Sequence, residues 1–210
     1  MFRDRTEAGE RLAGLLNERG VTADIVLAVP RGGLPVGRAV ADALGIPLDI
    51  VVARKMGAPG NPELAIGAVA SDGSVWRNES LIRQLAVDED YVERVRRQEA
   101  DNARAKFDRY RGERPDPHLE GKRVLIVDDG VATGATTVAC IRLAYSQGAR
   151  EVVLAVPVAP PDSVRRLEDE ADAVVALNTP DWFMAVGQFY EVFGQVSDEE
   201  AMGYLAPAGG

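Results

Sequence analysis

Two adjacent carboxylates and the small-residue loop that follows them are the strongest chemical signal in this sequence. Asp128 and Asp129 come directly after the apolar run 124–127, and residues 130–137 read Gly-Val-Ala-Thr-Gly-Ala-Thr-Thr. Backbone N–H groups of such a loop, at the start of a helix, can surround a phosphate whose charge the helix dipole favours. Carboxylates instead accept hydrogen bonds from sugar hydroxyls. The segment therefore predicts a site for a ribose that carries a 5-phosphate.

Each half of this signal also has a simpler explanation. Residues 128–130 could form an ordinary turn, and Thr133 could cap a helix. Their contiguity after a buried strand favours a functional site. The loop differs from a Walker phosphate loop because no lysine follows Gly134, and it lacks the Gly-x-Gly-x-x-Gly pattern of dinucleotide-binding folds.

Two other segments carry groups suited to a diphosphate. Arg31 offers a planar fork of donors, and Gly32 and Gly33 expose backbone N–H groups at a predicted helix start. The alternative is a plain strand-to-helix turn. Lys55, at the end of the next predicted strand, could reach a pyrophosphate oxygen, and we favour it over Arg54. The alternative for Lys55 is a solvated cation.

The elements that must position these groups alternate between strand and helix. The predicted buried strands are 25–29, 48–53, 123–127, 151–156 and 173–177. The predicted helices are 6–19 with Thr6 as its cap, 34–44, 134–147 and 162–170. This order predicts a three-layer α/β fold around a parallel sheet, with ligands at the carboxyl ends of the strands.

The stretch between the second and third core strands is of a different character. Residues 56–62 predict a flexible loop, and residues 64–77 predict a hairpin around Asp72-Gly73. Residues 78–112 predict one long charged helix with pairs such as Glu93 and Arg97 at helical spacing. We favour a solvated helix over a basic binding face here. At the other end of the chain, residues 197–210 predict a frayed tail.

Composition limits the function and the compartment. The formal net charge of -9 argues against nucleic-acid binding, which requires a basic face. The single cysteine, Cys140, lies in an apolar run and predicts a buried structural thiol in a reducing compartment. The absence of a membrane-length apolar run and of a secretory signal predicts a cytoplasmic protein without a membrane partner.

The run 124–137 resembles the signature that type I phosphoribosyltransferases use to bind 5-phosphoribosyl 1-diphosphate (PRPP). In that family two acidic residues follow apolar ones and precede a Thr-Gly-x-Thr type loop. The segment 29–37 resembles the family's pyrophosphate loop, which implies a non-proline cis peptide near Arg31-Gly32. The resemblance covers about residues 24–180, and the opening residues together with 54–67 look like an uncharacterised bacterial subgroup.

The resemblance implies roles for these residues. Asp128 and Asp129 would hold the ribose hydroxyls, and Arg31, Gly32, Gly33 and Lys55 would hold the pyrophosphate. The catalytic residues would be Asp128, Asp129, Lys55 and Arg31. The 5-phosphate would lie on the loop of Val131, Ala132, Thr133, Gly134, Ala135, Thr136 and Thr137. Ala132 stands where 6-oxopurine enzymes usually carry an aspartate, which argues against hypoxanthine or guanine salvage.

The resemblance also implies the division of the chain. A single Rossmann-like domain would have its core at about 21–57 and 118–178, a lid and helical insertion at about 58–117, and a hood from about 1–20 and 179–205. Residues 57–77 would correspond to the mobile catalytic loop. Trp182 and Phe183 are candidates for stacking on the nucleobase. The alternative is an aromatic cluster that anchors the C-terminal segment.

The expected reaction transfers the 5-phosphoribosyl group of PRPP to a nitrogenous base and releases pyrophosphate. Mg²⁺ is the expected cofactor, held mostly by ligand oxygens, with Asp128 or Asp129 as candidate protein ligands. The expected partners are PRPP and a nucleobase-like molecule, and a homodimer is compatible with the family. Two alternatives stay open: a catalytically silent PRPP- or nucleotide-sensing regulator, and a hydrolase or phosphorylase of ribose 5-phosphate esters.

Overall fold

The computed structural model describes residues 1–112 and 114–206, with the backbone alone described at residue 63. Its central sheet consists of β1 (Ile25–Ala28), β2 (Leu48–Ile50), β6 (Arg123–Val127), β7 (Glu151–Val158) and β8 (Ala173–Asn178). The strands are all parallel and lie in the order β2-β1-β6-β7-β8. The chain leaves β1 toward one edge of the sheet and leaves β6 toward the other. The switch point, where parallel sheets bind ligands, therefore lies between the carboxyl ends of β1 and β6.

Helices cover both faces of this sheet, which confirms the predicted three-layer α/β fold. One face packs on α1 (Arg5–Glu18) and α2 (Gly33–Leu44), and the other packs on α5 (Ala135–Ser146) and α6 (Pro161–Glu168). Neighbouring strand residues point to opposite faces. On β6, Leu125 packs with the α1 and α2 residues, whereas Ile126 packs with those of α5.

The first helix belongs to the core layer, although we grouped residues 1–20 with the hood. Gly9 lies so close to α2 that a Cβ built on it would be 2.7 Å from the Val36 carbonyl oxygen. The predicted Thr6 cap is wrong. Asp4 caps α1 because it is extended at φ -154°, and its carboxylate accepts a 2.9 Å hydrogen bond from the Glu7 N–H.

A second, antiparallel sheet serves as a hood. It consists of β3 (Ala53–Ala58), β4 (Asn61–Ala70) and β5 (Val75–Arg77). The predicted strand 48–53 is therefore two strands in different sheets, and the predicted flexible loop 56–62 is wrong. Only Pro59-Gly60 forms a turn there, with Gly60 at φ 73°. The predicted hairpin around Asp72-Gly73 is confirmed.

The charged region after the hood sheet forms two helices, α3 (Glu79–Gln84) and α4 (Glu89–Arg111). They break at Ala86, whose φ of 48° no helix tolerates, and Asp88 caps the second. The predicted Glu93–Arg97 pair is present at 2.8 Å. A fully solvated helix is nevertheless wrong, because Phe107 and Tyr110 are buried with residues of β2 and of the C-terminal helix at Asp198–Leu205. Helix α4 is therefore part of the packed structure.

The C-terminal segment forms α7 (Asp198–Leu205), so the predicted frayed tail is wrong for these residues. Ser197 caps the helix in a reciprocal capping box with Glu200, and Ala201 and Leu205 are buried. Residues 207–210 of the predicted tail lie outside the described residues. A short 3₁₀ helix, Val186–Phe189, precedes this segment. Within the described ranges, no helix has both the length and the apolar character needed to cross a membrane.

Candidate active site

The predicted acidic pair lies at the switch point and contacts the predicted pyrophosphate turn. Strands β1 and β6 are joined there by a 2.9 Å hydrogen bond from the Val29 N–H to the Val127 carbonyl. A Cβ built on Gly32 would be 2.0 Å from Asp129 Oδ2, and one built on Gly33 would be 2.8 Å from the Val127 oxygen. Both positions therefore require glycine for the turn to approach the acids.

A cis peptide bond joins Pro30 to Arg31, one bond before the position that we expected. The Pro30 carbonyl accepts a 2.9 Å hydrogen bond from Lys106 Nζ. Helix α4, which we had not assigned to the site, therefore contacts the turn that carries Arg31.

The surroundings of the acidic pair disfavour the charged forms of both carboxyl groups. Burial, and then the charge of Asp129, raise the pKa of Asp128 well above its usual value, although the Asp129 N–H donates to Asp128 Oδ1 at 2.8 Å. Burial also raises the pKa of Asp129, against the opposing effect of Arg5. Hydroxyl donors from a bound sugar would stabilise the charged forms of both groups. This state favours a ligand that supplies donors.

Arg5 is the strongest partner of Asp129 and was missed in the sequence. Its Nε lies 2.8 Å from Asp129 Oδ2, and both side chains are almost buried, at 11% and 14% exposure. Its guanidinium stacks on the Phe193 ring at 3.9 Å, and Tyr190 donates a 2.6 Å hydrogen bond to the Asp129 carbonyl. The N-terminal helix and the segment before α7 thus hold Asp129 from two sides.

The predicted phosphate loop lines a small open cavity of about 170 Å³ together with Asp128. Gly134 has a left-handed φ of 78° and turns the chain into α5, whose first N–H groups have no partner inside the helix. The Val131 N–H already donates to the Val158 carbonyl at 2.9 Å. The N–H groups that follow residue 131 are therefore the ones placed to bind a phosphate.

Lys55 lies near the phosphate loop, as predicted, but it belongs to β3 of the hood sheet. Lys55 and Thr136 line one cavity of about 370 Å³, which Arg54 and Glu99 also line. Arg54 additionally lines the cavity beside Arg31, and its Nε lies 3.0 Å from Glu99 Oε2. Strand β3 therefore places both basic residues above the phosphate loop.

The predicted base-stacking residues are less closely tied to the acids. Trp182 is 84% exposed, and Phe183 packs against Phe189 with ring centroids 5.4 Å apart. Tyr190, which donates to the Asp129 carbonyl, and Phe193, on which Arg5 stacks, have ring centroids 5.0 Å apart. Away from the site, the predicted burial of Cys140 is confirmed, and this burial raises the pKa of its thiol.

Gly32→Ala is expected to weaken the predicted binding of PRPP by about tenfold or more, since misplacing one charge-assisted hydrogen bond has an effect of that size. Gly32 has φ -61°, which alanine adopts freely, so the added methyl acts only by displacing the Asp129 carboxylate. Isothermal titration with PRPP would measure it. The matched control is Gly14→Ala, where nothing lies within 4 Å of the new Cβ. Equal affinities in both variants would contradict the assigned contact.

Comparison with known proteins points in one direction. Residues 4–193 match the family model described as "Phosphoribosyl transferase domain". A Mycobacterium tuberculosis H37Rv protein with the provisional name phosphoribosyl transferase Rv0571c is 43% identical over 205 residues, which are 98% of this chain and 46% of that protein. The chain thus spans about half the length of the curated relatives it matches.

Two solved structures are similar over nearly the whole chain. The crystal structure of TT1426 from Thermus thermophilus has 45% identity and a TM-score of 0.84, covering 98% of this chain and 97% of that one. The purine phosphoribosyltransferase from Pyrococcus horikoshii has 20% identity and a TM-score of 0.50, covering 92% and 93%. The second likeness concerns the fold alone.

Proposed function

Because this chain belongs to the phosphoribosyl transferase domain family, we propose that it transfers the 5-phosphoribosyl group of PRPP to a nitrogenous base and releases pyrophosphate. One observation carries the proposal: Asp128 and Asp129 lie against Gly32 and Gly33 at the switch point, beside the loop that starts α5. This arrangement offers carboxylates to the ribose, N–H groups to the 5-phosphate and Arg31 to the diphosphate.

The proposed reaction breaks the bond between the anomeric carbon and a pyrophosphate oxygen, and it forms a bond from that carbon to a base nitrogen, which loses its proton to solvent. Negative charge grows on the departing pyrophosphate in the transition state. Arg31, Lys55 and the N–H groups of residues 32–33 would stabilise that charge. Asp128 and Asp129 would orient the ribose through its hydroxyls, which fixes the anomeric carbon between leaving group and base.

Mg²⁺ fits this site only as an ion bound mainly by the ligand. Among the described residues no group of three or more His, Cys, Asp or Glu side chains is placed to hold a metal. Asp129 is already paired with Arg5, so the Asp128 carboxylate is the better candidate ligand. Mg²⁺ commonly binds through one carboxylate plus phosphate oxygens, and it would neutralise charge on the diphosphate.

Pyrophosphate release is the direct test of the proposal. We expect release when the protein is mixed with PRPP, Mg²⁺ and one member of a panel of adenine, hypoxanthine, guanine, uracil and orotate. Ala132 presents no carboxylate to a purine, so we expect hypoxanthine and guanine to be the poorer acceptors. Release that needs no base would indicate a hydrolase. Binding of PRPP without release for any base would favour the sensing regulator.

A further inference from the structure

We propose that helix α4 holds the diphosphate end of the ligand through Lys106 and Arg109, and that Asp198 of α7 occupies this place in the free protein. The identity of the ligand group rests on the proposed function. The binding site itself rests on a cavity next to Arg31 that the family resemblance does not assign.

This cavity is basic and of a suitable size. Its volume is about 400 Å³, within the range of roughly 300–1,000 Å³ that is common for small-molecule sites. Its lining residues are Arg31, Arg54, Ala105, Lys106, Arg109, Tyr110 and Asp198. Four cations from the turn after β1, from β3 and from α4 thus line the cavity with one carboxylate, and of these Arg54 is already paired with Glu99. An excess of this kind favours an anion with several charges.

Lys106 joins the cavity to the turn that carries Arg31. Lys106 is half-buried, and its ammonium group donates to the Pro30 carbonyl, directly before Arg31. Burial, and then the charges of Arg54 and Arg31, lower its pKa. Crowded cations of this kind gain most when an anion enters between them.

Asp198 makes the contacts that a phosphate group would make. Its Oδ1 accepts a 2.6 Å hydrogen bond from the Tyr110 hydroxyl and lies 3.4 Å from Arg31 Nη1. Its Oδ2 lies 2.7 Å from Arg109 Nη1. A diphosphate oxygen would accept from the same donors, and it would carry more charge than one carboxylate. The two anions therefore compete for Arg31 and Arg109.

The opposite side of α4 shows how a solvated face differs from this one. Arg97 pairs with Glu93 at 2.8 Å and Arg104 with Asp108 at 3.0 Å, both on the same helix, and Arg104 also lies 4.0 Å from Asp116 just beyond it. Lys106 and Arg109 instead reach Pro30 and Asp198 on other elements. Helix α4 thus has one self-paired face and one face directed into the cavity.

The test uses titration of the full chain with inorganic pyrophosphate and, separately, with ribose 5-phosphate. Lys106→Met and Arg109→Ala should each weaken pyrophosphate binding by about tenfold or more while ribose 5-phosphate binding stays unchanged. Asp198→Asn should tighten pyrophosphate binding by roughly two- to fivefold, since it removes the competing charge. The matched control is Arg97→Ala, an exposed and ion-paired arginine of the same helix.

Unchanged pyrophosphate affinity in the Lys106 and Arg109 variants, or an equal loss in the Arg97 control, would overturn the inference. If Lys106→Met fails to fold, Arg109→Ala and Asp198→Asn still test the inference. Arg109 is 64% exposed, so its substitution should leave the fold intact. Pyrophosphate bound through these residues, without transfer to any base, would support the inference while the proposed function fails. Phosphoribosyl transfer at the wild-type level in these variants would support the proposed function and contradict this inference.

Discussion

The double variant Asp128→Asn/Asp129→Asn is expected to lower PRPP affinity by roughly 10²–10⁴-fold and to abolish measurable pyrophosphate release. Each carboxylate would accept a charge-assisted hydrogen bond from a ribose hydroxyl, and losing one such bond has an effect of about 1.5–3 kcal/mol. Titration with PRPP and the pyrophosphate assay would measure the two quantities. The control is Asp162→Asn, an 84% exposed acid of α6 that pairs with Arg165 on its own helix. PRPP affinity at the wild-type level in the double variant would contradict the assignment.

The part of this loss that comes from Asp128→Asn should not reflect unfolding. Because burial and Asp129 raise the pKa of Asp128, the native state binds its proton more tightly than the unfolded chain does. Wild-type stability therefore falls as the pH rises through the unfolded value of about 3.9 toward the folded one. We expect Asp128→Asn alone to be more stable than wild type by roughly 0.5–2 kcal/mol at neutral pH, with a smaller gain below about pH 4.

Arg111→Met is expected to destabilise the fold by about 3–5 kcal/mol, the usual effect of removing one partner of a buried ion pair. Arg111 Nη1 lies 3.2 Å from Asp49 Oδ2, and the arginine side chain is only 3% exposed. Burial already raises the pKa of Asp49 despite this partner. The substitution would leave that carboxylate buried between α4 and β2 without its guanidinium, so α4 would pack less tightly on the core.

Urea denaturation would measure the change in the free energy of unfolding. Arg104→Met is the matched control. Both arginines lie on α4 and stack on Phe107, but Arg104 is half exposed and should contribute under about 1 kcal/mol. Adding Asp49→Asn to Arg111→Met should recover part of the loss, because no unpaired charge then remains. A loss below about 1 kcal/mol for Arg111→Met would contradict a stabilising role of the pair.

Local patterns were sufficient for the core and for the two ligand segments. The apolar run before Asp128 and the small residues after it specify a strand, a turn and a helix within 25 residues, so β6, its loop and α5 could be predicted. The same holds for the turn at Gly32-Gly33. Adjacency of the two segments followed from the switch-point rule for parallel sheets.

Contacts between distant parts of the chain could not be predicted in this way. Arg5 and Asp129 are 124 residues apart, and no local pattern pairs them. The placement of Lys106 and Arg109 in a cavity could not be predicted, because most charges of α4 suggest pairs within the helix itself. Helix α7 is a different case, since the Ser197–Glu200 capping box was present in the sequence as a usable signal.

A crystal structure of the chain with PRPP and Mg²⁺ tests the central claim most directly. We predict ribose hydroxyls within about 2.7–3.2 Å of the Asp128 and Asp129 carboxylates, and the 5-phosphate at the same distance from N–H groups of residues 132–137. PRPP bound away from the carboxyl ends of β1 and β6, or bound with both carboxylates out of reach of the ribose, would contradict it.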